Sequence, residues 1–88
     1  MKIIYTKAIT KDVQKIKDKK LILKIEQLIS DLKNASAIEE IKSIKKLSGH
    51  PYAYRARVGN YRLGFFYQNQ RITLIRFLKR NDIDKLFP

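Results

Sequence analysis

The hydrophobic period of the chain changes near Gly49, and that change dictates helices before it and a sheet after it. Upstream, Leu21, Ile25, Leu28 and Leu32 step by four, three and four, the spacing that lines one face of a helix. Downstream, Tyr52, Tyr54, Ala56 and Val58 alternate with Ala53, Arg55 and Arg57, as side chains do on a strand with one buried face. Gly59-Asn60 interrupts the alternation as a two-residue hairpin turn. A second strand follows from Tyr61 to about Tyr67, then a polar turn within Gln68 to Gln70, then a more apolar strand from Ile72 to Leu78. Three consecutive strands joined by tight turns predict an antiparallel meander.

Ahead of the long helix, Lys2 to Tyr5 suits a short strand. Thr6 or Thr10 can cap a first helix carrying Ala8, Ile9, Val13 and Ile16, because a threonine oxygen can accept from the free amides of a helix start. Both helices then form a hairpin joined near Asp18 to Lys20, whose apolar stripe needs the sheet as cover. Between Asn34 and Lys46 the pattern leaves two options: Ala35 to Glu40 adds a helical turn, and Ile41, Ile44 and Leu47 suit an extended connector or a short helix. Asn81 or Asp82 can cap a last short helix through Asp84, Lys85 and Leu86.

Eighty-eight residues have room for one core, so residues 1–88 are read as one α+β domain. No cysteine is present, which excludes disulfide staples and thiolate metal sites and fits a reducing, cytoplasmic setting. No apolar run approaches the roughly 20 residues that span a bilayer, so no membrane association is expected. Metal-ligand spacing, a nucleophilic serine motif and a glycine-rich phosphate loop are absent too, which predicts no metal and no small-molecule cofactor. The eight carboxylates are scattered, without the pairing that glycoside chemistry needs.

Charge points to polyanions. Twenty Lys+Arg against eight Asp+Glu give +12, enough to attract nucleic acid over a distance. A lysine-rich surface alone would explain the lysines. It would not explain why Arg55, Arg57, Arg62, Arg71, Arg76 and Arg80, all the arginines, lie in the second half. If Gly59 and Asn60 form the turn, Arg57 lies opposite Arg62 and both share a face with Arg55. Tyr52, Tyr54, Val58, Tyr61, Leu63, Phe65 and Tyr67 take the other face, towards the helices. Like charges placed directly opposite destabilise a sheet by about 0.2–1 kcal/mol. The arginine pair is thus either a solvated basic face or a seat for phosphate. Arg76 falls on the apolar face by the same alternation and is expected to snorkel or to pair with a helix carboxylate. His50, in a Ser-Gly-His-Pro loop beside the arginine strand, is either incidental or a secondary member of the site.

The run KKLSGHPYAYRARVGNYRLGFFYQNQRITLIRFLKRNDIDKLFP, Lys45 to Pro88, resembles the second half of RelE-type toxins of the RelE/ParE superfamily. Their pattern is a Leu-x-Gly, a YRIRVGDYRI-like hairpin and a strand ending in His-Arg or Lys-Arg. The order of elements before it matches as well. The resemblance implies an N-terminal strand and helical hairpin packed on one face of a curved antiparallel sheet of three to four strands. It further implies the toxin of a type II toxin-antitoxin pair that blocks translation as a metal-independent, ribosome-dependent messenger-RNA endoribonuclease. Its partners would be a cognate antitoxin with an acidic or amphipathic segment, the ribosome and messenger RNA.

Carried over by position, Arg55 and Arg57 fall where some relatives have catalytic lysines. Arg62 falls on the strand arginine and Arg80 on the arginine after the last strand. These four are the expected catalytic residues, with Lys45, Lys46, Lys79 and His50 as RNA-binding ones. The implied reaction is attack of a ribose 2′-hydroxyl on its adjacent phosphate, with arginine forks neutralising the developing charge. Arginine stays protonated and makes a poor general base, which leaves His50, Asp82, Asp84, a ribosomal RNA group or no discrete base. The sequence departs from the family pattern twice: a frequent tyrosine is replaced by Asp84, and a common histidine by Lys79. The Asp84 departure supports an alternative, a ParE-like toxin acting on DNA gyrase; a catalytically decayed basic binding module is a third.

Overall fold

A computed structural model covers Met1 to Pro88. Strand β1 (Lys2–Tyr5) leads into helices α1 (Lys7–Gln14) and α2 (Lys19–Asn34) and a 3-10 turn (Ile38–Glu40). Strands β2 (Ile44–Lys46), β3 (Ala53–Val58), β4 (Tyr61–Gln68) and β5 (Arg71–Lys79) follow, then helix α3 (Arg80–Leu86). Thr6 caps α1, accepting from the Ile9 amide at 3.2 Å while its hydroxyl donates to the Leu74 carbonyl at 2.8 Å. Thr10 lies inside the helix. Asp18 caps α2 by accepting from the Lys20 and Leu21 amides. Ile16 lies beyond the end of α1 but still packs against the main core.

The α+β architecture stands, with a different sheet. It has five strands in the order β1-β5-β4-β3-β2 and is mixed, because β1 runs parallel to β5, pairing Ile3 with Ile72 and Tyr5 with Leu74. The unassigned segment before Gly49 supplies edge strand β2, antiparallel to β3, and Ile38–Glu40 supplies a turn of 3-10 helix ahead of it. The helical hairpin covers one face, where Leu21, Ile25, Leu28 and Leu32 meet Ala56, Val58, Leu63, Phe65, Leu74 and Phe77. Each large apolar side chain buried there contributes about 1.5–3 kcal/mol. Tyr54, Tyr61 and Tyr67 are half-buried on this side, whereas Tyr52, expected among them, is 48% exposed because it precedes β3.

Helix α3 corrects the expectation of helices on one face only. Ile83 and Phe87 pack with Ala53, Leu47, Ile75 and Leu78, which belong to the opposite face, so α3 and the C-terminus cover part of the arginine side. The close approach needs Gly64: a Cβ there would lie 2.6 Å from Cγ of Phe87. No side chain caps α3; Lys79 is its N-cap residue, and Asn81 and Asp82 fall inside its first turn. The register of β4 on β5 shifts between Gly64 and Phe65, leaving Ile75 as an extra residue. This bulge lets Arg76 and Phe77 both turn towards α1. Arg76 there meets a helix carboxylate, with Nε 2.7 Å and Nη2 3.1 Å from the Asp12 oxygens.

The hairpin turns differ in cost. Gly59 alone has positive φ in the first turn, the pattern of type II′, and its φ of +58° suits glycine. Asn69 and Gln70 both have positive φ, 53° and 62°, in the second, the pattern of type I′. Asparagine tolerates this region; glutamine adopts it at a cost of about 1 kcal/mol. Gln70→Gly is therefore expected to stabilise the protein by about 0.5–1 kcal/mol in urea titration, less what its 3.2 Å contact with the Tyr67 hydroxyl contributes.

Candidate nucleic-acid interface

Turn chemistry sets the arginine face. With Gly59 and Asn60 as the connection, Val58 pairs with Tyr61, Arg57 with Arg62 and Arg55 with Gly64, so Arg55, Arg57 and Arg62 project from one side of the sheet. Edge strand β2 extends the array, since Lys45 pairs with Arg55. Lys42, Ser43, Lys45, Lys46, Leu47, Ser48, Arg55, Arg57 and Arg62 line one open concavity of about 530 Å³. Only Leu47 among them is apolar, so the hollow is built for a highly charged ligand rather than for an apolar cofactor.

Each arginine is held differently. Arg62 donates through Nη1 to the carbonyls of Gly59 at 3.1 Å and Tyr61 at 2.8 Å, which fixes its guanidinium against the turn. Desolvation holds its pKa below the usual arginine value, with Arg80, Arg57 and Arg55 adding repulsion. Four guanidinium groups therefore converge, with no acid among the causes of that shift. Arg80 is brought in by α3, whose first amide donates to the Asn60 carbonyl at 3.0 Å and docks the helix start on the hairpin turn. Arg57 is exposed. Arg55 is half-buried and forms an ion pair with Asp84, while its buried Nε has no acceptor. A cation crowded by others and fixed in place is pre-organised for phosphate oxygens, since binding an anion relieves the repulsion.

The remaining sequence candidates separate. Lys45 belongs to the array. Lys46 pairs with Tyr54 and so has the register of the helix-facing side, yet it reaches the rim of the concavity. Lys79 pairs with Tyr61, which by alternation directs it away from the arginine face. His50 is exposed and lines a shallow hollow next to the concavity, the two sharing Lys46, Leu47 and Ser48. Arg71 lies at the far end of β5 opposite Gln68. The contact between Arg55 and Asp84 was not foreseen. Two sequence signals point to it: a glycine inside β4 that marks a close approach on the arginine face, and the i, i+4 spacing that puts Arg80 and Asp84 on one side of α3.

Two further features are bounded. An apolar hollow of about 320 Å³ lies between α1 and α2, lined by residues including Ile9, Val13, Ile22, Ile25 and Ile29, with none of the arginines. No group of three or more His, Cys, Asp or Glu residues is placed to hold a metal ion, and no helix is long and apolar enough to cross a membrane.

Comparison with known proteins agrees with this architecture. The family model for the ParE toxin of type II toxin-antitoxin systems, parDE, matches residues 3–84. The toxin RelE3 of Methanocaldococcus jannaschii is 33% identical over 89 residues, spanning all of both chains. The chain belongs to the RelE/ParE toxin superfamily. Among solved structures, the RelB-RelE antitoxin-toxin complex from Methanococcus jannaschii matches with a TM-score of 0.81 at 29% identity, covering 97% of this chain and 99% of that one. The YoeB dimer from Staphylococcus aureus shares the fold, with a TM-score of 0.72 at 24% identity over 90% of this chain and 94% of that one. As a RelE/ParE member the protein is the toxin of a toxin-antitoxin system, and the arginine concavity is the prominent charged feature its fold presents.

Proposed function

We propose that this RelE-like toxin cuts messenger RNA on the ribosome. The observation carrying this reading is the concave basic surface lined by Arg55, Arg57 and Arg62, with Arg80 near enough to Arg62 to repel its charge. A ribose 2′-hydroxyl attacking its own phosphodiester develops negative charge on the phosphoryl oxygens. Forked donors at Arg62 and Arg57 would hold that phosphate in line, and Arg80 would neutralise the oxygens from the α3 side. Lys45 and Lys46 extend the surface along the RNA backbone, where each phosphate contact adds salt-sensitive affinity. No step in this reaction requires a metal ion.

The same face would be covered in the inactive state by an antitoxin with an acidic or amphipathic segment, as complementary charge favours. The complex of RelB with RelE supports an antitoxin as the partner. A second reading is kept by one observation: the family model that matches is that of ParE toxins, and the resemblance offers DNA gyrase as the target of that branch. Induced expression in bacteria with mapping of messenger-RNA 5′ ends separates them. Growth arrest with new ends inside translated codons supports the ribonuclease; arrest with DNA damage and intact messages supports gyrase; harmless expression supports a decayed binding module.

A further inference from the structure

Four guanidinium groups supply charge and orientation but cannot take the proton of an attacking hydroxyl. A proton acceptor supplied by this chain would have to be another side chain. His50 lines the adjoining hollow, which shares Lys46, Leu47 and Ser48 with the arginine concavity but contains none of the arginines, and Asp12 is committed to Arg76 and the Phe77 amide on the other face of the sheet. Asp84 alone among the carboxylates forms an ion pair with an arginine of the cluster. Its Oδ1 faces Arg55, and the side chain is 65% exposed, which leaves room for a ligand beside it.

Its placement is fixed from two sides. The Arg80 amide ties the start of α3 to the Asn60 carbonyl, and Ile83 and Phe87 seat the helix on Ala53 and over Gly64. Arg80 and Asp84, four residues apart, share one side of α3. The helix thus presents a cation and a carboxylate together at the arginine hairpin.

Resting on the ribonuclease reading above, we propose that the Asp84 carboxylate is the general base of this toxin. The 2′-hydroxyl proton passes to Asp84 as the O2′–P bond forms and the P–O5′ bond breaks. The departing O5′ takes a proton from water, and Asp84 returns its proton to solvent. The upstream fragment ends in a 2′,3′-cyclic phosphate and the downstream one begins with a 5′-hydroxyl. Arg55 holds the carboxylate in the resting protein and turns towards the phosphate as the substrate enters.

The test is single-turnover cleavage of a message on programmed ribosomes, comparing wild type with Asp84→Asn, Asp84→Glu and Asp82→Asn from about pH 6 to about pH 9. The expected Asp84→Asn defect is about 10²- to 10⁴-fold in rate, with message binding undiminished because a negative charge has been removed. Its residual rate should climb about tenfold per pH unit, as hydroxide replaces the missing base, while the wild-type profile is flatter. Asp84→Glu should recover part of the rate, and Asp82→Asn should match wild type. An Asp84→Asn rate within about threefold of a cutting wild type, or a defect with the wild-type pH profile, would overturn the assignment and leave Asp84 only the task of holding Arg55. A wild-type chain that leaves the message intact would instead overturn the ribonuclease reading, and this assignment with it.

Discussion

Replacing Arg62 and Arg80 together by alanine is expected, on the proposed ribonuclease reading, to lower the cleavage rate at least about 10³-fold, because one fixed donor at a developing oxyanion is commonly worth about 10²–10³. Arg62 is held by two carbonyls of the hairpin turn, so little conformational freedom is lost when a phosphate arrives. In the proposed reaction the two residues act on one phosphate, so their single effects should not add. The fold should survive. Desolvation and three arginine neighbours disfavour the charged Arg62, so removing it relieves repulsion at the surface. A thermal midpoint equal to or above that of wild type, with cleavage and growth arrest lost, is the expected pair of results. Undiminished growth arrest by the double variant would remove the arginines from the mechanism.

Asp12→Ala is expected to have the largest effect on stability, a loss of about 3–5 kcal/mol. Asp12 is 5% exposed. It accepts from Nε and Nη2 of Arg76 and from the Phe77 amide at 2.9 Å. Alanine leaves a half-buried guanidinium without its partner and a buried amide without an acceptor. The hydrogen bond to Asp12 holds Arg76 above the usual arginine pKa, outweighing desolvation. A raised folded-state pKa gives stability that is fully present below the unfolded value and lost only as pH rises through the folded one. For Arg76 that window lies far above neutrality, so its contribution should stay constant across the neutral range. Thermal unfolding should show a midpoint lowered by about 15 °C or more. A shift of only about a degree or two would show that the pair contributes little.

The legible parts of this fold are those whose signal is local. Leu21, Ile25, Leu28 and Leu32 specify the buried stripe of α2 within their own sequence, and Gly59-Asn60 fixes the hairpin register that sets Arg57 beside Arg62. The alternation of β3 then assigns Arg55 to the same face. Features that depend on distant partners were not legible. The parallel pairing of β1 with β5 joins residues such as Ile3 and Ile72, and nothing in either strand names the other. Strand β2 is three residues long, too short to display a period. Alternation gives the right face for Arg76, but the extra residue Ile75 also turns Phe77 to that side. Position in the sequence groups Lys79 with the RNA-binding candidates, whereas its pairing with Tyr61 directs its side chain away from the arginine face. The crossing of α3 onto the arginine face, with Asp84 on Arg55, follows from the packing of Ile83 and Phe87 over Gly64.

The most direct test of the central claim adds the purified toxin to ribosomes programmed with a defined message and maps the 5′ ends by primer extension, with free message and supercoiled DNA plus gyrase in parallel. Cuts inside the translated codon on the ribosome, little cutting of free message and unbroken DNA are the expected result. Intact ribosome-bound message, with DNA broken in the gyrase reaction, would contradict it.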